Sequence, residues 1–154
     1  SKYIFIVGSL KFTMLVIFSS YMLQKFLKRL SSLEKICHHF HLSLQSACDN
    51  TLIRMNRKYT TDDYFTIVSG LRHHFPDVAI TTDIMVGFAG ETEEDHKLTL
   101  SLMEQVGYEF AFMFKYSERP GTFASKHLPD NISEEVKTRR LQEIIELQNE
   151  ASNY

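Results

Sequence analysis

Cysteine is scarce in this sequence: Cys37 and Cys48 are the only two among 154 residues. That count excludes a disulfide-dense secreted scaffold and suits a reducing compartment. A four-iron cluster held by three protein thiolates would need a further cysteine from elsewhere. Six glycines and three prolines exclude a fibrous or loop-dominated chain. No three-glycine dinucleotide fingerprint and no phosphate-loop Gly-Lys-Ser/Thr ending occurs. Nor does any zinc-finger or homeodomain spacing that would mark a nucleic-acid module.

Apolar surface is plentiful, with twelve Phe and seven Tyr, enough for the core of one compact domain. Charge is unevenly placed. Residues 1–60 carry nine Lys/Arg against two Asp/Glu, whereas residues 61–154 carry eight against seventeen. A basic early section suits nucleic acid or a membrane surface, although charge alone specifies neither fold nor enzyme. Tyr3 to Leu23 is a largely apolar run of membrane-span length followed by Lys25, Lys28 and Arg29. Lys11 near its middle is expensive in lipid, so a buried strand over 12–18 leading into a helix is favoured over a membrane anchor.

From residue 37 onward the pattern alternates between strands and helices. Phe40, Leu42 and Leu44 share one side of a strand over 39–44. A short helix carries Leu52, Ile53 and Met55, and a longer one begins at Thr60 or Thr61 and stops near His74, before the Phe75-Pro76 break. A strand over 78–84 exits through Met85-Val86-Gly87-Phe88-Ala89-Gly90 into a helix headed by Thr92 and its acids and closed by Gly107. A strand over 109–115 puts Phe110, Phe112 and Phe114 on one face. A last helix starts near Asn131 or Ser133, with Val136, Leu141, Ile144, Ile145 and Gln148 inward. Such alternation predicts an α/β fold with parallel strands, and the length is short of a whole eight-unit barrel of about 250 residues. The active edge should lie where strands release Gln45-Ser46, Gly87-Phe88 and Lys115-Tyr116.

Three chemistries are open from the residues alone. His39 and His41, two apart on a strand, would form a metal site if Asp83, Glu91 or His127 converged on them, as in a metal-dependent α/β hydrolase. An internal hydrogen-bond network is the commoner use of such a pair. The Gly87–Thr92 turn, with free helix N–H groups behind it, suits an adenosine or an anion. Arg54, Arg57 and Lys58 suit phosphate, and Tyr59 and Tyr116 suit stacking with a base.

Four ordered strings then narrow the choice: 41–47 (HLSLQSA), 55–59 (MNRKY), 82–92 (TDIMVGFAGET) and 114–122 (FKYSERPGT). Together they resemble the motifs of radical-SAM tRNA methylthiotransferases, in particular those that add a methylthio group to N6-isopentenyladenosine beside the anticodon. The resemblance covers roughly residues 37–149. It implies the C-terminal portion of a partial (β/α)6 radical-SAM barrel over 37–150, after a poorly matched segment 1–36 and before a polar tail 151–154. It also implies SAM and two 4Fe-4S clusters in the full-length enzyme, a tRNA partner, an electron donor and a cytoplasmic location. Gln45, Ser46 and Arg57 would lie near SAM, Gly87, Phe88 and Gly90 in the adenosine-side loop, and Tyr116 and Arg119 at the substrate opening. Ser43, Ala47 and Ala89 depart from the proline, glycine and proline usual in the family. The cluster-binding cysteine triad is missing from these 154 residues. The expectation is therefore a fragment inactive by itself, with a noncatalytic RNA-binding remnant as a further alternative.

Overall fold

The structure, a computed structural model, describes residues 20–34 and 36–152. The proposed strand over 12–18 and most of the Tyr3–Leu23 run lie outside the described residues. The elements follow in order: α1 (Ser20–Ser31), β1 (His39–His41), α2 (Asp49–Arg54), α3 (Thr61–His74) and β2 (Ala79–Val86). Then come α4 (Glu93–Val106), β3 (Phe110–Lys115), α5 (Phe123–His127) and α6 (Glu134–Ser152). Among the described residues no helix is long and apolar enough to cross a membrane.

Among the described residues three strands form one parallel sheet in the order β1-β2-β3. β1 is shorter than its alternation predicts, because after His41 the chain bonds to β2 irregularly. Leu42 N–H donates to the Thr81 carbonyl at 2.8 Å, and Leu44 N–H to the Thr82 hydroxyl at 3.0 Å. Gln45 rejoins β2 through a bridge to Ile84, with its own φ at +68°.

Strand periodicity splits the sheet into two unlike faces. Phe40, Ile80, Ile84, Val86 and Ala111 are buried against Tyr64, Val68, Leu71, Leu102, Met103 and Ile144 of the helices. Burying a side chain such as Ile84, 0% exposed, stabilises the fold by about 1.5–3 kcal/mol. The opposite face carries His39, His41, Thr81, Asp83 and the three phenylalanines of β3. Phe110, Phe112 and Phe114 share a face as the alternation predicts, yet each remains about half exposed, because among the described residues no helix packs on this face.

Helix ends follow local chemistry. Thr60 with Asp63 and Thr92 with Asp95 form reciprocal capping boxes at the starts of α3 and α4. Gly107 closes α4 at φ +58°, in the left-handed region. α6 departs from its apolar pattern. Its inner stripe is Lys137, Arg140, Ile144 and Gln148, all buried, while Ile145 is exposed. Long aliphatic stems can be buried when their charged heads find partners, and both cations do.

Candidate functional site

At the carboxyl ends of the strands lies a cleft of about 650 Å³. Open parallel sheets characteristically bind ligands at this edge. Five of the eight motif residues line it: Gln45, Arg57, Phe88, Tyr116 and Arg119. Arg54, Lys115, Asp83 and Phe123 also line it, with Lys115 paired to Glu134 at 3.0 Å and Arg54 reaching Asp95 at 3.8 Å.

Ser46, Gly87 and Gly90 are not on the wall; they shape the loops behind it. Ser46 is fully buried, and its hydroxyl accepts from Cys48 N–H at 3.2 Å. Gly90 sits against the Arg54 guanidinium at φ +77°, and its N–H donates to Asn131 Oδ1 at 2.9 Å. Gly87 has φ +72°, and a Cβ there would run into the stem of Lys137. Glycine at 87 is therefore required twice, by dihedral and by space.

Side chains that apolar patterning does not reveal hold the Gly87–Gly90 turn. Gly87 N–H donates to Glu91 Oε2 at 2.5 Å. Arg140 donates to the same oxygen at 2.9 Å and to the Glu91 carbonyl at 3.2 Å, with both side chains almost wholly buried. Burial raises the Glu91 pKa, against the opposing pull of Gly87 N–H and Arg140. Arg140 also reaches Glu93 at 3.1 Å, and Arg139 pairs with Glu93 at 2.8 Å. The Arg139 hydrogen bond is the main reason the Glu93 pKa falls to about 2.

Lys137 braces the same region. It donates to Asp130 Oδ2 at 2.6 Å and Glu134 Oε1 at 3.0 Å, and its Nζ stands 5.6 Å from the centre of the Tyr116 ring. Burial works against the Lys137 charge, but the two carboxylates outweigh it and its pKa is raised. Phe88 meets Tyr116 edge-to-face, with ring centres 4.8 Å apart. The Tyr116 hydroxyl is buried, with no hydrogen-bond partner among the described residues.

Several sequence expectations change here. Tyr59 is not available for stacking with a base. It is buried, its hydroxyl donates to the carbonyls of Ser43 and Leu44 at 3.0 and 2.8 Å, and burial pushes its pKa up to about 12. It fixes the β1 exit that presents Gln45. His39 Nε2 and His41 Nδ1 each lie 3.1 Å from the Thr81 hydroxyl, and His41 Nε2 lies 3.2 Å from Asp83. Glu91 is engaged by Arg140, and His127 stacks on Phe123. Among the described residues no group of three His, Cys, Asp or Glu side chains forms a metal site. The hydrolase reading loses its ligands, and the histidine pair is a hydrogen-bond network. Ser43, at the position where the resemblance leads one to expect proline, donates to Asp83 at 2.6 Å.

The model of the Radical SAM superfamily matches residues 2–103. The chain belongs to the radical SAM superfamily. It is 56% identical over 126 residues to the tRNA-2-methylthio-N(6)-dimethylallyladenosine synthase of Bacteroides thetaiotaomicron, covering 82% of this chain and 28% of that protein. The proteins of the same name from Phocaeicola vulgatus and Chlorobaculum tepidum are 57% identical over 117 residues and 50% over 125. Those alignments cover 76% and 81% of this chain, and 26% and 28% of the respective relatives. The chain thus spans between a quarter and a third of the curated relatives it matches. Among solved structures, coproporphyrinogen III oxidase from Escherichia coli, a radical SAM enzyme, superposes with a TM-score of 0.68 at 18% identity. That match covers 89% of this chain and 31% of the oxidase, and supports the partial-barrel fold.

Radical SAM membership implies SAM and iron–sulfur chemistry. The cleft fits the nucleoside part of SAM in volume, aromatic lining and an unpartnered Tyr116 hydroxyl on its wall. A cluster held by three thiolates does not fit the residues present. Two cysteines are too few, and Cys48 is buried with its thiol donating to Asp95 at 2.9 Å.

Proposed function

We propose that this chain is the C-terminal part of the radical-SAM barrel of a tRNA methylthiotransferase that installs a 2-methylthio group on N6-isopentenyladenosine near the anticodon. The observation that carries the reading is convergence. Residues from all four resembling strings, Gln45, Arg57, Phe88 and Tyr116 with Arg119, line one cleft at the strand ends.

In this reading Gln45, Ser46 and Arg57 belong to the SAM side, Ser46 by fixing the turn. Gly87, Phe88 and Gly90 form the adenosine-side loop, and Tyr116 and Arg119 face the tRNA base. Bound SAM and two 4Fe-4S clusters supply the radical and sulfur chemistry of the full-length enzyme, with an electron donor, in the cytoplasm. The protein's own part is to orient nucleosides. Arg57 and Arg119 offer planar donors to carboxylate or phosphate, and Phe88 with Tyr116 gives a dry aromatic wall. Because the cluster ligands are not on this chain, its isolated turnover should be nil.

A chimera tests the reading. Residues 37–150 replace the matching segment of the Bacteroides thetaiotaomicron relative, and tRNA from a host lacking the modification is analysed by mass spectrometry. Methylthio-modified adenosine should appear and vanish with Arg57→Ala. A soluble, cluster-loaded chimera that leaves the tRNA unmodified would overturn it.

A further inference from the structure

We propose that Phe123, backed by His127, is a stacking platform for a second unpaired nucleobase of the tRNA, next to the base that enters the cleft. The inference rests on the tRNA reading above and adds a contact that none of the resembling motifs supplies.

The aromatic residues of the cleft fall into two classes. Phe88 and Tyr116 are 5% and 7% exposed and already packed on one another. Phe123 lines the same cleft yet is 67% exposed. That exposure places it at the rim, where a ring costs solvation unless something covers it. Its orientation is fixed from behind. Phe123 and His127 lie four residues apart on α5, so they share a side of the helix. Their ring centres are 4.4 Å apart at an interplanar angle of 40°. The start of α5 is held by the Thr122 hydroxyl, which accepts from Ser125 N–H at 3.2 Å.

Charge identifies the class of occupant. Arg54, Arg57, Lys115 and Arg119 line the cleft. Lys115 pairs with Glu134 at 3.0 Å and Arg54 reaches Asp95 at 3.8 Å. Among the described residues Arg57 and Arg119 are thus the cleft cations left without an ion pair, a surface suited to a polyanion. An open aromatic face beside arginines is how single-stranded RNA is commonly gripped: phosphates meet the cations and a base lies on the ring. Anticodon loops present unpaired neighbours on both sides of any one base, so a second base is within reach when the first is turned into the cleft.

Fluorescence titration of the 154-residue chain at low, fixed salt tests this. The probe is an anticodon stem-loop RNA carrying 2-aminopurine at one loop position at a time beside the target adenosine. The wild type should quench the fluorophore at one flanking position. Phe123→Trp should keep that quench and bind within about twofold, because the indole also stacks. Phe123→Leu should abolish the quench and weaken binding about tenfold, with unchanged circular dichroism. Wild-type affinity and quench in Phe123→Leu would overturn the platform and leave the tRNA reading intact. Absence of any stem-loop binding by the wild type would overturn both.

Discussion

Gly87 shows how much one missing side chain can decide. Its φ of +72° and the Lys137 stem against it leave no room for a Cβ. Gly87→Ala should therefore cost about 1–3 kcal/mol, read by urea unfolding. The glycine was legible in the sequence as part of a strand exit. Its neighbours were not, because Lys137 and Arg140 are cations and apolar patterning passes over them. Arg140→Met would strand the buried Glu91 carboxylate and should cost about 3–5 kcal/mol. Adding Glu91→Met should recover part of that loss but not all, since Gly87 N–H also loses its acceptor. Glu93 gives a pH signature. Its folded pKa of about 2 lies below the ordinary 4.5, so its contribution is complete above the unfolded value and fades as pH falls toward 2. The Tm difference between wild type and Glu93→Gln should be present at pH 6 and nearly gone at pH 2. A difference that grew on acidification would contradict the Arg139–Glu93 pairing.

Elements were more legible than residues. The β2 and β3 alternation, the Pro76 break and the acid-rich start at Thr92 each predict a boundary that the structure places within two residues. These signals are local: a cap, a broken helix or a two-residue period needs no distant partner. Thr92→Ala removes the acceptor for Asp95 N–H and should cost about 1 kcal/mol in urea unfolding, with β3 unaffected. β1 ended early because its continuation is set by the Thr82 hydroxyl and the Tyr59 clamp, contacts made across 38 and 15 residues. On α6 the inward placing of Ile144 and Gln148 holds and Leu141 packs on the core, but Ile145 faces out. Lys137 and Arg140 were missed for the same reason, their burial being set by acids elsewhere in the chain.

For the whole molecule, the strand–helix alternation already implied parallel strands, in part of a barrel or an open sheet, and the family resemblance implied the partial barrel. The alternation could not show that the described helices all pack on the other sheet face, because Phe110, Phe112 and Phe114 look like core in a one-dimensional pattern. The native chain should bind an apolar dye such as anilinonaphthalene sulfonate, and Phe110→Ser, Phe112→Ser and Phe114→Ser together should remove most of that fluorescence. Dye binding unchanged in the triple variant would place the exposed apolar surface elsewhere. The clamp from α6 onto the glycine turn also has a consequence in time. A ribosome delivers residues 87–90 well before Lys137 and Arg140, so the turn emerges while the side chains that hold it are still unsynthesised. Until α6 follows, Glu91 has no guanidinium to meet, and the turn should stay open to proteases. Pulse proteolysis of stalled nascent chains should show residues 87–91 becoming protected only once Arg140 has cleared the exit tunnel.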